Sequence, residues 1–202
     1  MNASVTQTYS LSLRWGFGAK YGGQLYNCFQ CGPNAESDGI IGALESYRQT
    51  FTSGLVMSRP TDITEVIRAA AGFARIKETE GKVEGKQVYT TLLILSDGSV
   101  TDIQATCQCL QEFCDAALSI IIVGIGNADF SRMQYLDDHG SEYDICQFVE
   151  FNSHKDDLGK LTRASLEEIP DHLVSYFTRH GIEPNPAIDI SDEDIQSDSF
   201  SN

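Results

Sequence analysis

The sequence predicts a doubly wound α/β domain whose mostly parallel sheet lies between helices in three layers. Two observations carry this expectation. Residues 88–95 and 118–126 are near-continuous apolar runs, and such runs suit strands buried on both faces. Around them the spacing of apolar residues turns helical, so strands and helices alternate along the chain. A helical stretch at 102–116 joins the two runs, which are therefore expected to lie parallel and adjacent through a right-handed crossover.

The remaining elements follow in order. Residues 9–19 read as a strand, with apolar residues alternating at Leu11, Leu13 and Trp15 and an exit through Gly16 and Gly18. Residues 25–31 read as a second short strand, closed by Gly32-Pro33-Asn34. Over 39–52, Ile40, Ile41, Leu44, Tyr47 and Phe51 share one face at helical spacing. That helix is expected to pack Ile41, Leu44 and Tyr47 into the core. After Ser58-Arg59-Pro60, Thr61 or Asp62 can cap a helix reaching Lys77, with Ile63, Val66, Ile67 and Ala70 inward. Residues 78–86 read as a charged loop. Residues 130–136 read as a short helix, 146–151 as a strand and 157–177 as a helix interrupted near Pro170. Residues 191–202 are acidic and polar, as in a disordered, solubilising tail; Ser191 there also suits an acid-directed kinase.

Composition narrows the function. A chain of 202 residues, 41% hydrophobic, suits one domain with a sizeable core. Acidic residues number 29 against 14 basic ones, a formal net charge of -15, which argues against nucleic acid as a direct partner. The same charge repels anionic lipid unless a cation bridges the two. No apolar stretch is long enough to span a bilayer, and the first residues lack a signal-peptide pattern. The six cysteines are irregularly spaced and read as reduced thiols of a cytoplasmic protein. Cys28-x-x-Cys31 and the Cys107, Cys109, Cys114 group have no histidine at finger-like spacing, so ordinary thiols outweigh a zinc site. His139, His154, His172 and His180 are scattered over expected loops and helix surface and read as solvated. Gly124-x-Gly126 lacks the third glycine of a dinucleotide fingerprint, and no nucleophile–base order stands out. An enzyme is not expected.

In doubly wound sheets, ligands bind at the carboxyl ends of the strands. Asp97 stands there, after Thr91-Leu-Leu-Ile-Leu-Ser96 and before Gly98. Thr61 opens a helix after a proline turn and offers a hydroxyl to the same place. Hard cations want several such oxygens. The competing reading is structural: Asp97 steadies a turn and Thr61 caps a helix.

Several segments share an order and spacing with one family. They are Gly16-Phe17-Gly18-Ala19, Pro60-Thr61-Asp62-Ile63, Ser96-Asp97-Gly98-Ser99-Val100-Thr101-Asp102, the 118–126 run, Ala128-Asp129-Phe130, Gln147-Phe148-Val149 and Glu168-Ile169-Pro170. On these the chain resembles the copines from Gly16 to Pro186. Tyr26-Asn27-Cys28-Phe29 is more similar to the copine-like domain of plant RING ubiquitin ligases. The resemblance implies a von Willebrand A-type, Rossmann-like fold with a metal-ion-dependent adhesion site. In the family that site uses an Asp-x-Ser-x-Ser loop, a threonine and an aspartate. Thr61 and Asp97 match the last two, with Ser99 on the same rim, but residues 1–15 hold no Asp-x-Ser-x-Ser. That loop belongs after the family's first, central strand. The expectation is thus an N-terminally incomplete domain over 1–186, an acidic tail over 187–202, and weak binding of a divalent cation (Mg²⁺, Mn²⁺ or Ca²⁺). The implied function is a protein-interaction module of a copine-like, calcium-dependent phospholipid-binding protein. Its partners would be proteins, and C2 domains outside this sequence would link it to phospholipid and recruit it from the cytoplasm to the plasma membrane. The alternative is the partner-binding domain of a copine-like RING ubiquitin ligase.

Overall fold

The computed structural model describes residues 11–185, apart from 35, 60, 99–101 and 140. The expected tail therefore lies outside the described residues, as does Ser99.

The centre of the molecule is a parallel sheet of three strands, β8 (Thr90–Ser96), β9 (Leu118–Gly124) and β10 (Cys146–Glu150), in the order β10-β9-β8. Leu92 is in register with Ile120, and Ile120 with Cys146. The expected parallel pairing of the two apolar runs is therefore present, with α3 (Ile103–Phe113) crossing between them. Asp102 begins that helix by accepting the Ala105 N–H at 2.9 Å.

Side chains alternate across a strand, so the sheet has two faces. Leu92, Ile94, Ile120, Ile122 and Cys146 point into a core built with α2 (Thr64–Glu84), α3 and α4 (Ser131–His139). Ile63, Ile67, Leu110, Met133 and Leu136 fill that core and are fully buried. The opposite face, with Ser119 and Gln147, meets α5 (Leu158–Leu166) and α6 (Ile169–Arg179). These are the three expected layers.

Two corrections concern burial. β9 is buried at every position, as its composition predicts, but β8 is not. Leu93 and Leu95 are each 56% exposed, because α5 and α6 cover β9 and β10 but leave β8 open on that face. Among the described residues no strand pairs with the outer edge of β8. The second correction is α1 (Gly39–Phe51), whose Ile41 is 75% and Leu44 50% exposed, with Tyr47 exposed as well. This helix docks through Ser46 and Thr50 instead. Thr50 Oγ1 donates to Ser46 O at 2.8 Å and accepts the Gly32 N–H at 3.1 Å. The bond from Gly32, rather than the apolar stripe, ties the helix to its neighbours.

The N-terminal part is a set of short antiparallel pairs. β1 (Leu11–Leu13) pairs with β6 (Glu36–Asp38), and β2 (Trp15–Gly16) with β5 (Phe29–Gln30). β3 (Ala19–Tyr21) lies between β4 (Gln24–Tyr26) and β7 (Val56–Met57). The strands expected over 9–19, of which 9 and 10 lie outside the described residues, and over 25–31 are thus divided: at Arg14, at the Phe17-Gly18 turn, where Gly18 has φ +68°, and at Asn27-Cys28. The helix expected to stop at Lys77 continues through the supposed loop to Glu84, where Gly85 ends it in the left-handed conformation. Lys77–Glu80 and Lys82–Glu78 pairs one turn apart suit the charged sequence there to a helix surface.

Candidate functional site

The carboxyl edge of the sheet carries the residues singled out from the sequence. β8 ends at Ser96, whose carbonyl accepts the Ile125 N–H at 2.8 Å and whose hydroxyl accepts the Gly98 N–H at 3.2 Å. Gly98 has φ +92°, and a Cβ there would stand 2.9 Å from the Ala128 Cβ. Only glycine allows the loops after β8 and β9 to meet so closely. The loop after β10 joins them through Asn152 Nδ2, which donates to Gly126 O at 2.5 Å and to Asn127 Oδ1 at 2.7 Å. Three loops thus form one rim.

Asp97 projects from this rim, and its Oδ2 accepts a hydrogen bond from Arg59 Nη2 at 2.5 Å. Arg59 lies two residues before Thr61, so the ion pair brings the segment leading into α2 to the rim. Thr61 itself is buried, and its methyl group packs on the 16–19 turn so closely that a Cβ on Gly18 would stand 2.3 Å from it. Ser58 N–H, donating to Gly18 O at 2.8 Å, fixes this turn to the same segment. The cap position of α2 is Ile63, and just before it Asp62 Oδ1 accepts the Thr64 N–H at 2.8 Å.

The opposite, amino-terminal edge holds a cluster that sequence reasoning missed. His172 on α6 is buried, not solvated as expected for a surface histidine, because α6 lays that position against β9. Its Nδ1 is 3.2 Å from Ser119 Oγ, which is 2.9 Å from the Tyr89 hydroxyl. Its Nε2 faces Asp144 Oδ1 at 3.6 Å and Glu168 Oε2 at 3.7 Å. One ligand atom from each of Asp144, Glu168 and His172 lies within 4.8 Å of the others, so the group could hold a metal ion. Burial alone would raise the Asp144 carboxyl, but the His172 imidazole and the Cys146 N–H outweigh it and hold Asp144 below its ordinary range. Burial, then Asp137 and Asp144, push the Glu168 carboxyl up. The only hint in the sequence was the Glu168-x-x-x-His172 spacing, one helical turn; Asp144 is remote and arrives through the register of β10.

All six cysteines are free thiols. Burial pushes Cys28, Cys31 and Cys107 up, and Cys109 up to about 11, which disfavours the thiolate that binds metal or attacks substrate.

Comparison with known proteins agrees with this architecture. The family model described as "Copine" matches residues 7–185. Copine-C of Dictyostelium discoideum is 37% identical over 185 residues, covering 85% of this chain and 33% of that protein. Copine-E of the same organism is 36% identical, over 84% of this chain and 31% of its own length. Protein BONZAI 1 of Arabidopsis thaliana is 33% identical over 200 residues, 90% of this chain and 34% of that protein. The chain spans about a third of the length of these relatives. A match over nearly all the described residues, on a von Willebrand A-like α/β sheet, places this chain in the copine family.

Proposed function

We propose that this chain is a protein-interaction module of a copine-type protein, and that partners dock on the rim around Asp97 and Thr61. A divalent cation held weakly there would be completed by a carboxylate from the partner. The observation that carries the reading is the Arg59–Asp97 pair. It joins the segment bearing Thr61 to the aspartate that follows β8, at the edge where such sheets bind ligands. It also gives an incoming cation a competitor to displace. The guanidinium occupies the carboxylate a cation would use, and an exposed pair of this kind contributes at most about 1 kcal/mol, so an incoming ion can displace it.

A binding role suits the rest of the molecule better than catalysis does. Ser119, His172 and Asp144 follow the order of a hydrolytic triad, but Ser119 has no exposed surface and cannot meet a substrate. The acidic surface favours partners other than nucleic acid. In this reading the module works in the cytoplasm, and domains outside the chain supply phospholipid binding and recruitment to the plasma membrane.

Titration with Mg²⁺, Mn²⁺ and Ca²⁺ tests the rim. Wild-type affinity is expected at about millimolar, the weak end of protein sites for these ions. Asp97→Asn should abolish it, and Arg59→Ala should tighten it by removing a competing cation. Mn²⁺ binding that ignores both substitutions would place the ion elsewhere and remove the basis for this rim.

A further inference from the structure

We propose that Asp144, Glu168 and His172 form a separate cation site for a Zn²⁺-class ion, at the amino-terminal edge of the sheet. The site does not depend on the rim reading. β9 separates the two edges, and its seven residues span roughly 20 Å.

The first observation is an unmet polar atom. The His172 side chain is 3% exposed, and its Nε2 is buried without a hydrogen-bond partner. Glu168 Oε2, one turn earlier, is buried and equally without one. A buried polar atom left without a partner is costly, so each calls for an explanation. They cannot satisfy one another, because 3.7 Å is too long for a hydrogen bond, and so is the 3.6 Å to Asp144 Oδ1.

The second observation is that these separations suit a shared ion. With bonds of about 2.0–2.2 Å to a tetrahedral ion, neighbouring ligand atoms stand roughly 3.3–3.6 Å apart. The two distances from Nε2 are close to that. The remaining distance, between the carboxylates, is within 4.8 Å and closes by rotation of Asp144, which is exposed.

The surroundings prepare the imidazole for this role. With the Nδ1 proton donated to Ser119 Oγ, the Nε2 lone pair points between the carboxylates. Ser119 is itself held by the Tyr89 hydroxyl. An outer hydrogen bond of this kind fixes the tautomer and orientation of a metal-binding histidine. Asp144 Oδ1 is steadied by the Cys146 N–H at 3.2 Å. The donor set selects the ion. Mg²⁺ and Ca²⁺ take oxygen ligands in sets of six or more, whereas imidazole suits zinc and its neighbours. Three protein ligands leave a fourth position for water beside exposed Asp144.

The test is calorimetric titration of the chelator-treated 202-residue chain with ZnCl₂ at neutral pH, with Co²⁺ as a spectroscopic substitute. One Zn²⁺ should bind per chain with micromolar or tighter affinity. Asp144→Asn, Glu168→Gln and His172→Asn should each weaken it by at least about tenfold. His172 is buried and its variant can misfold, but Asp144 is exposed, and circular dichroism checks that Asp144→Asn keeps the fold. Asp97→Asn and the Cys28→Ser/Cys31→Ser pair should leave binding unchanged, and bound Co²⁺ should show no thiolate charge-transfer band. Absence of Zn²⁺ binding would overturn the proposal. So would binding that survives Asp144→Asn and Glu168→Gln, or a thiolate band. The last two results would place the ion away from this cluster or on cysteine.

Discussion

Strand β9 and helix α1 are both rich in apolar residues, yet their fates in the fold are opposite. Leu118–Gly124 is buried at every position, while α1 exposes Ile40, Ile41, Leu44, Tyr47 and Phe51. The difference lies in what surrounds each. β9 has a hydrogen-bonded strand on both edges, α2 and α3 on one face and α5 and α6 on the other. α1 has short antiparallel strands beside it and docks by its polar Ser46–Thr50 side. Apolar composition supplies the drive to bury surface, but neighbouring elements decide whether there is anywhere to bury it.

The largest expected effect breaks this comparison if it fails. Ile120→Ala in β9 removes a side chain with no exposed surface from the middle of the core, and should cost about 2–5 kcal/mol. Leu44→Ala in α1 should change stability by no more than about 0.5 kcal/mol, the usual range for surface sites. Urea denaturation midpoints of the two variants measure the contrast. Equal losses would mean that the α1 stripe is covered in solution.

The same contrast explains what could be read from the sequence. The parallel pair, the crossover helix and the rim position of Asp97 follow from run length, periodicity and glycine placement, which are local signals. Three features were not legible. Leu93 and Leu95 belong to a continuous apolar run, and nothing in that run tells which face a helix will cover. The α1 face was assigned from spacing alone, and the Thr50 hydroxyl, bonded to the Gly32 N–H, lies on the side that docks instead. His172 became a buried member of an acidic cluster only through the packing of α6 on β9 and the register of β10, both non-local.

A smaller effect sharpens the picture of the packed half, which also holds a carboxylate at a cost. Asp137 on α4 has its pKa raised to about 6. Burial is the main cause, the Phe148 N–H opposes it, and Asp144 and Asp138 add to it; Gln134 Nε2 donates to its Oδ2 at 3.1 Å. The unfolded value is about 3.9, so the native state holds this proton more tightly than the unfolded chain does. The native state therefore pays nothing below the unfolded pKa, loses stability as pH rises from there to about 6, and bears the full penalty above it. Asp137→Asn should raise the urea midpoint at pH 7.5, and the gain should shrink as pH falls toward 5. Solvent screening keeps the gain below what the full shift would give. With chelator present to exclude bound metal, a gain that does not vary with pH would show that Asp137 is not the group responsible.

The smallest effect on stability lies within β8, where the comparison can be made between two faces of one strand. Leu92 and Ile94 point into the core, while Leu93 and Leu95 point out beside an edge that no described strand covers. Threonine is β-branched, which suits a strand, and removes apolar surface from the outer face. Leu93→Thr with Leu95→Thr should therefore move the denaturation midpoint by no more than about 0.5 kcal/mol for each substitution. What should change is association. An exposed edge flanked by leucines offers both unpaired backbone groups and apolar area to another chain. Sedimentation velocity at increasing concentration should show the wild-type chain self-associating more than the double variant does. A stability loss of several kcal/mol would instead mean that these leucines are buried in solution, against a neighbour that the described residues do not supply, and β8 would then be an interior strand like β9.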